Sequence, residues 1–327
     1  MTFYRAAQAG AQLGALALAL TLGLSAAQAK PWRHGVLEAK SDAGFLYMID
    51  HGGFAKKDGL DLQLVPVKNE TLALRALIAG DLDSYEGTPP FAAVARGSDA
   101  KIIGCHWTGL PHALFVRDNI KSVADLKGKS IASSAPGSLP DLIARAILEL
   151  NKVPTQGITF ANVGSDSERY RAITHGIVDA AVISSEYEPI AEKENVHMLV
   201  QARDAMPDFM RLCYITTSKV LGERMDDAVD FLKAEHDALT YALAHRDETI
   251  AFAHQAASQK DDDPRAAYVF DDAVKTHSVD PELPIPVKKI ESMQDILLKA
   301  GVTPSKVDVS TMIDTRPREK ALGAAAK

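Results

Sequence analysis

Short apolar runs alternate with helix-length amphipathic runs over the first two hundred residues of the chain. The pattern predicts strands over His34–Ala39, Asp61–Val67 and Leu82–Tyr85, with helices over Gly44–Lys57 and Glu70–Ala79 between them. Strands that alternate with helices in this way are typical of an α/β fold with mainly parallel strands.

The same order of elements recurs further along the chain. The second unit is predicted to contain strands over Ser130–Ser133, Ile158–Val163 and Asp179–Ile183, with a helix over Leu139–Leu150 and another that starts at Ser165-Asp166. Each unit also carries one version of a shared pattern, Ala76-Leu77-x-x-Gly80-x-x-Asp83 in the first and Ala172-Ile173-x-x-Gly176-x-x-Asp179 in the second. The repeat predicts two lobes built on one plan.

Two further extended runs, Ala113–Arg117 and Leu212–Thr216, are predicted to cross between the lobes. Long helical patterns follow from Ser218 to about Gln259, and a helix is expected over Lys288–Ala300. A polar stretch at residues 260–264 separates them as a surface loop.

A ligand site is expected where the loops at the carboxyl ends of the strands face each other, because open α/β sheets bind ligands there. The predicted site residues are Ser41, Asp42, Glu86, Gly87 and Thr88 on one wall, Gly137, Ser138, Ser184 and Glu186 on the other, and the aromatic residues Trp107 and Tyr187.

Each of these residues also has a structural interpretation. Gly137-Ser138 ahead of an apolar helix suits an anion, but Ser138 equally suits an ordinary N-cap. Trp107 and Tyr187 suit ligand contact or core packing.

If two of the acidic residues Asp42, Glu86 and Glu186 point inward, the ligand should carry an amine or several hydrogen-bond donors. If they are solvated or paired with cations, an anion remains possible.

The first 29 residues have the three parts of a cleavable secretory leader. Arg5 is followed by the apolar run Leu13–Leu24 and by Ala27-Gln28-Ala29, and the run is too short to span a bilayer. No second long apolar run occurs, and the residue directly after the expected cleavage site is Lys30 and not a cysteine. We therefore expect a soluble protein without a lipid anchor, free in the periplasm.

The chain has 327 residues and a formal net charge of −7, from 36 basic and 43 acidic side chains. This balance makes nucleic acid or an anionic membrane an unlikely target, since either would select a basic face. Cys105 and Cys213 are the two cysteines, and a disulfide and two buried thiols are equally compatible with the sequence. We expect a monomer.

Common catalytic and metal-binding motifs are missing from the sequence. It contains no Gly-x-Ser-x-Gly elbow, Walker phosphate loop, His-Glu-x-x-His or Cys-x-x-Cys, so nothing requires an enzyme or a cofactor. The group Cys105, His106 and His112 matches no standard zinc spacing. The spacing of His236, His245 and His254 places neighbours on opposite helix faces. We expect no metal site.

Several segments resemble one known family in order along nearly the whole chain after the leader. They are Phe45–Asp61, Ala76–Asp83, Asp125–Lys129 with Gly137-Ser138, and Ile313-Asp314-Thr315 before Glu319–Leu322. Together they resemble the sulfonate, taurine, nitrate and thiamine-precursor solute-binding proteins of ABC transporters.

The resemblance implies a type II periplasmic binding fold, in which two α/β lobes joined by a two-strand hinge close on a small solute and deliver it to a membrane permease. It also implies that the C-terminal part completes the first lobe, so that residues 30–114 and 216–327 form lobe one and residues 115–215 form lobe two. The ligand loops of the family match Ser41-Asp42, Gly87-Thr88, Gly137-Ser138 and Ser184–Tyr187.

The expected ligand is a sulfonate, taurine or nitrate-like anion or a related organic acid. The alternative is an amine-bearing or aminopyrimidine ligand, which Glu86 and Glu186 would favour. An enzyme resembling the pyrimidine synthases of thiamine biosynthesis is the rival from another class, and the leader opposes it. A third possibility is a ligand-sensing partner of a membrane signalling protein.

Overall fold

The computed structural model describes residues 30–323, so the predicted leader at residues 1–29 and the last four residues lie outside the described part. Ten strands are present between these limits: β1 Trp32–Leu37, β2 Leu62–Val67, β3 Ser84–Gly87, β4 Ala100–Thr108, β5 His112–Arg117, β6 Ser130–Ser133, β7 Thr159–Asn162, β8 Ala180–Ser184, β9 Val196–Gln201 and β10 Met210–Thr217.

Fourteen α-helices accompany these strands within the described range. They are α1 Ala43–Leu46, α2 Met48–His51, α3 Phe54–Lys57, α4 Glu70–Ala79, α5 Phe91–Val94, α6 Leu139–Leu150, α7 Asp166–Thr174, α8 Glu188–Ala191, α9 Ala202–Ala205, α10 Ser218–Ala244, α11 Arg246–Ala256, α12 Pro264–Thr276, α13 Val287–Lys299 and α14 Arg316–Leu322. Short 3₁₀ turns cover Val123–Leu126, Ser185–Tyr187, Glu192–Glu194 and Val309–Met312. None of the described helices is long and apolar enough to cross a membrane.

The strands form two five-stranded sheets with the same internal plan. The first has the order β2-β1-β3-β10-β4 and the second the order β7-β6-β8-β5-β9. In each sheet the first three strands are parallel, and the fourth runs antiparallel to both of its neighbours. The predicted α/β class and the repeat are both confirmed, because the two sheets match strand for strand.

The aspartate of the repeated pattern has the same structural role in both sheets. The carboxylate of Asp83 accepts the backbone N–H of Arg33, and that of Asp179 accepts the backbone N–H of Ser130, each at 2.9 Å. In return, the backbone N–H of each aspartate donates to the carbonyl of the same partner. These bonds fix the starts of β1 and β6 to the turns before β3 and β8. They lie at the opposite ends of the strands from the ligand loops.

The predicted helix over Gly44–Lys57 is wrong in its continuity, because the segment forms the three one-turn helices α1, α2 and α3. The break after α2 has a clear cause: Gly53 has a φ of 66°, which a glycine adopts without the steric cost that a side chain would bring. The break between α1 and α2 lies at Tyr47, whose φ of −111° is also not helical.

The two runs predicted to cross between lobes each lie within a single sheet. Residues 113–117 belong to β5 in the second sheet, and residues 212–216 belong to β10 in the first. The chain passes between the sheets at residues 109–111 and 202–209, which we call the two links. From this strand membership we propose lobe limits at the links, whereas the limits expected from the sequence fall inside β5 and β10.

The C-terminal helices complete the core of the first sheet. Phe231 and Leu232 of α10 are fully buried in one apolar cluster with Trp32 and Val36 of β1. A second cluster includes Met293 of α13 together with residues of both sheets. Each large side chain buried in this way contributes about 1.5–3 kcal/mol.

Buried polar groups join β1 to β3 and β10 to α10. The Ser84 hydroxyl accepts a hydrogen bond from Trp32 Nε1 at 2.9 Å and lies 2.8 Å from His34 Nδ1. Burial, together with the nearby His106, lowers the pKa of His34 to about 3. Burial also raises the pKa of Glu235, whose carboxyl group hydrogen-bonds Tyr214.

Lowering the pH is expected to destabilise the wild type more than a His34→Gln variant. In the folded protein His34 stays neutral down to about pH 3, whereas in the unfolded chain it takes up a proton below about 6.5. The contribution of neutral His34 to the free energy of unfolding is therefore intact above pH 6.5 and is lost as the pH falls from 6.5 towards 3. Between pH 7.5 and 5 the wild type should lose about 2 kcal/mol relative to the variant. Urea titrations at both pH values measure the free energy of unfolding of each protein. An equal change with pH in the wild type and the variant would contradict the prediction.

The two cysteines form a disulfide that joins the edge strand β4 of the first sheet to its neighbour β10. Cys105 of β4 and Cys213 of β10 are register partners and are bonded to each other. Of the two possibilities that the sequence left open, the structure therefore has the disulfide. The bond lies four residues from the link at Gly109 and four residues from the end of the other link at Phe209.

Candidate functional site

A cavity of about 720 Å³ lies between loops that follow strands of the two sheets. Thr88 lines it from the first sheet, and Gly137 and Ser138 line it from the second. Lys40 and Lys68 also line it, and neither forms an ion pair with a residue in the range 30–323. We call this space the main cavity, and its volume suits a small organic solute.

Glu70 is a residue of the main cavity that the sequence analysis did not select. It lies in the first turn of α4, and one carboxylate oxygen accepts both the backbone N–H of Thr88 at 3.1 Å and its hydroxyl at 2.5 Å. Burial raises the pKa of Glu70, although the Thr88 bonds oppose this shift. The Thr88 hydroxyl is thereby occupied by the protein itself.

The turn at Gly137-Ser138 is arranged differently from an ordinary helix N-cap. Ser138 occupies the N-cap of α6, but its hydroxyl is buried and has no hydrogen-bond partner among the described residues. The backbone N–H of Gly137 donates instead to the carboxylate of Asp141 at 2.9 Å, and Pro140 supplies no N–H. The capping interpretation of Ser138 therefore has no hydrogen bond to support it.

Replacing Ser138 by alanine is expected to change the free energy of unfolding by less than about 0.5 kcal/mol, because no capping bond is lost. Ser165 is the matched control, since it caps α7 in a reciprocal pair with Glu168. Its replacement by alanine should cost about 1 kcal/mol. Chemical denaturation of both variants measures the difference, and equal losses would show that Ser138 does cap α6.

A second cavity of about 620 Å³, here the side cavity, is lined by Glu186 and Tyr187. Lys40 lines it too, and so connects it with the main cavity. Burial raises the pKa of Glu186, although a hydrogen bond from Ser41 opposes the shift. Tyr187 is buried, stacks on Tyr170 with ring centroids 4.4 Å apart, and is only a small part of the accessible wall.

Ser41 connects three loops. Its hydroxyl accepts a hydrogen bond from Gln259 Nε2 at 2.9 Å and also bonds Glu186 of the opposite loop. Ser41 is only 3% exposed. The loop after β1 is thus joined to the loop after β8 and to the segment between α11 and α12.

Asp42 and Arg211 form an ion pair beside Trp107. Asp42 stands at the N-cap of α1, Arg211 is in β10, and their side chains are bonded through Asp42 Oδ2 and Arg211 Nη2. The guanidinium carbon of Arg211 lies 4.2 Å from the centroid of the Trp107 ring, a cation–π contact. The sequence analysis selected Asp42 and Trp107 but missed Arg211.

Ser41, Asp42 and Trp107 line neither the main nor the side cavity, and the same holds for the remaining predicted site residues. Glu86 is 2% exposed, and its carboxylate accepts the backbone N–H of Leu37 at 3.1 Å and lies 3.3 Å from His106 Nε2. Gly87 is within β3, opposite Cys213. The Ser184 hydroxyl accepts the backbone N–H of Glu186 at 3.4 Å.

Arg169 of α7 holds together the ligand-side loops of the second sheet. Its guanidinium donates to the carbonyl of Val182 at 2.7 Å, to the hydroxyl of Ser134 at 2.7 Å and to the carbonyl of Gly164. It is also paired with Asp166. Arg169 is only 3% exposed, so it acts within the framework of the site.

The groups around the two cavities are able to hydrogen-bond a polar solute. Hydroxyls, carboxylates and cations converge on the two cavities. Between residues 30 and 323, no group of three or more His, Cys, Asp or Glu side chains is placed to hold a metal ion. Cys105 is part of the disulfide, so its thiolate is not available as a ligand.

Solved structures place the fold in the class of periplasmic binding proteins. The periplasmic aliphatic sulphonate binding protein SsuA from Escherichia coli matches with a TM-score of 0.71 and 20% identity, over 87% of this chain and 92% of that one. The ligand-binding component of an ABC-type import system from Staphylococcus aureus matches with a TM-score of 0.69 and 14% identity, over 90% and 100%. The predicted periplasmic binding fold is confirmed.

The chain belongs to the NMT1/THI5-like family, whose model matches residues 40–249. A relative, the putative binding protein YtlA of Bacillus subtilis, is 21% identical over 289 residues, which is 84% of this chain and 85% of that protein. The resemblance found from the sequence is confirmed, and the similar proteins described here are named as binding proteins.

Proposed function

We propose that this chain is the periplasmic solute-binding component of an ABC importer, which captures a small polar organic solute by lobe closure. The main cavity carries the proposal: it lies between matching loops of two matching sheets, and Lys40 and Lys68 present unpaired positive charge to it. These lysines favour a ligand with an anionic group, such as a sulfonate or a related organic acid. The similarity to YtlA, which is named as a putative binding protein, supports the same function.

Closure in this proposal is a shift of a hinge equilibrium about the two links. The ligand stabilises the closed form by the difference between its affinities for the two forms. The contact of Ser41 with Glu186 joins the two lobes, so closing would make it and opening would break it. The chain would be exported by the leader at residues 1–29, act as a monomer in the periplasm and present its solute to a membrane permease.

A panel of small organic acids, tested by thermal denaturation on protein refolded to remove bound solutes, examines this function. One ligand class should raise the melting temperature in a concentration-dependent manner. In a Lys40→Gln, Lys68→Gln double variant the affinity for that class should fall at least about tenfold, because a charged hydrogen bond contributes about 1.5–3 kcal/mol. Lys127→Gln, an exposed position that lines neither cavity, is the control. Chemical turnover of the ligand, or no stabilisation by any solute, would contradict the proposal.

A further inference from the structure

Helix α12 has two faces of different chemistry. Ala266, Phe270 and Ala273 recur at intervals of four and three residues, so they lie on one face of the helix. Arg265 and Asp272 are seven residues apart and share another face. An apolar face and a polar face on one helix indicate that α12 has two kinds of neighbour.

The apolar face of α12 packs into the core of the first lobe. Phe270 and Ala273 are buried in the same cluster as Trp32 of β1. The ring of Phe270 also stacks on Phe45 of α1, with centroids 5.5 Å apart. Pulling these side chains out of the core would expose a large apolar area to water, which is unfavourable. Helix α12 therefore stays with the first lobe in any movement about the links.

The polar face of α12 contacts the second lobe near both ends of the helix. The guanidinium carbon of Arg265 lies 5.6 Å from the centroid of the Tyr187 ring, in the turn after β8. Near the other end, the carboxylate of Asp272 accepts two hydrogen bonds from Arg203 of α9, at 2.8 and 2.9 Å. Helix α9 belongs to a link but packs on α6, β5 and β9, so Arg203 moves with the second lobe.

The ion pair of Arg203 and Asp272 lies in the wall of a third cavity, of about 290 Å³, here the link cavity. Residues 109–111 of one link and Pro207 of the other also line it. The side chains of Arg203 and Asp272 are 27% and 17% exposed. If the pair separates, water can reach both charges, so that no buried ion is left unpaired. The pair is therefore suited to break and re-form as the lobes move.

We propose that α12 is the latch of the closed form, and that Arg203 and Asp272 are the positioning residues that set the equilibrium between the open and closed forms. All contacts of the latch join protein groups, so it forms without solute and holds the ligand-free chain mainly closed. A solute then binds without the loss of affinity that a rarely populated closed form would impose. This effect on affinity rests on the proposed function, whereas the latch itself does not.

Small-angle X-ray scattering of the refolded, solute-free protein tests the latch. Asp272→Asn should increase the radius of gyration relative to the wild type, because the lobes separate when the pair is lost. Asp271→Asn is the matched control, since this neighbouring residue of α12 forms its exposed ion pair with Arg246 of α11, within the first lobe. The control should leave the radius unchanged. Equal radii for the wild type and Asp272→Asn, or an equal increase in the control, would overturn the inference.

The other partner of the pair supplies an independent variant. Arg203→Gln should open the lobes as much as Asp272→Asn does, and the double variant should open them no further, because both substitutions remove the same contact. Additive increases in the radius of gyration would contradict a latch formed by this pair. If Asp272→Asn does not fold, the comparison of Arg203→Gln with the wild type keeps the test decisive.

Solute affinity distinguishes the failure of the inference from the failure of the proposed function. The probe is the organic acid that raises the melting temperature of the wild type most. Its affinity for Asp272→Asn should fall about two- to fivefold, because the closed form is then less populated. Asp272 lines neither the main nor the side cavity, so a direct contact with the solute would not explain the fall. An unchanged affinity would overturn the role of the latch in binding. If no organic acid stabilises the wild type, the proposed function fails and the scattering result alone decides on the latch.

Discussion

Replacing Arg169 by methionine is expected to lower the free energy of unfolding by about 3–5 kcal/mol, the cost of breaking a buried charged network by removing one partner. The variant would leave Asp166 without its paired guanidinium and the carbonyl of Val182 without its donor. Chemical denaturation with a tryptophan-independent probe, such as far-ultraviolet circular dichroism, measures the loss.

Arg171 supplies the control for this prediction, because it lies on the same helix two residues further along and is exposed. Its replacement by methionine should change stability by no more than about 0.5 kcal/mol. Equal effects at the two positions would show that the network around Arg169 contributes nothing beyond a surface charge.

A double Cys105→Ala, Cys213→Ala variant is expected to lose about 4 kcal/mol of stability. The disulfide closes a loop with a sequence separation of 108 residues, and a cross-link over a loop of that length removes much of the entropy of the unfolded chain. Guanidinium titration of the variant and the oxidised wild type should show a lower midpoint for the variant.

The single Cys213→Ala variant separates the bond from the side chains. If the covalent link is what stabilises the fold, the single variant should lose nearly as much as the double variant. Peptide mapping without reductant should recover residues 105 and 213 in one linked fragment of the wild type. Free thiols at both positions, or an unchanged midpoint in the double variant, would refute the assignment.

The sequence was informative wherever the fold depends on local patterns. Helix α4 has the predicted bounds, and Gly80 ends it with a φ of 80°. The repeat could be found because Asp83 and Asp179 each serve the same strand-to-turn contact, so both copies retain the same spacing. The continuous helix over Gly44–Lys57 was predicted wrongly because its apolar positions recur regularly, while the left-handed backbone at Gly53 interrupts it.

The partners within the site could not be found from local patterns. Arg211 meets Asp42 from 169 positions away, a pairing that depends on where β10 lies in the first sheet. Glu70 was assigned to the start of a helix, and nothing in the sequence around it indicates a hydrogen bond with Thr88. Ser138 fits the residue type of an N-cap, yet Asp141 takes the available N–H. Each case is a competition between groups that only the folded chain brings together.

The positions of the two links have a consequence for how the chain can be divided. Ala113 near the start of the second sheet's segment is the register partner of Gln201 at its end, and Thr108 is likewise the partner of Met210 in the first sheet. If the chain is cut at the two links, the cut ends of the inserted segment lie side by side, and so do those of the remaining chain. Residues 112–201 are thus inserted between β4 and β10 of the first sheet, and a tight turn of a few residues would be long enough to join Thr108 to Met210 without them.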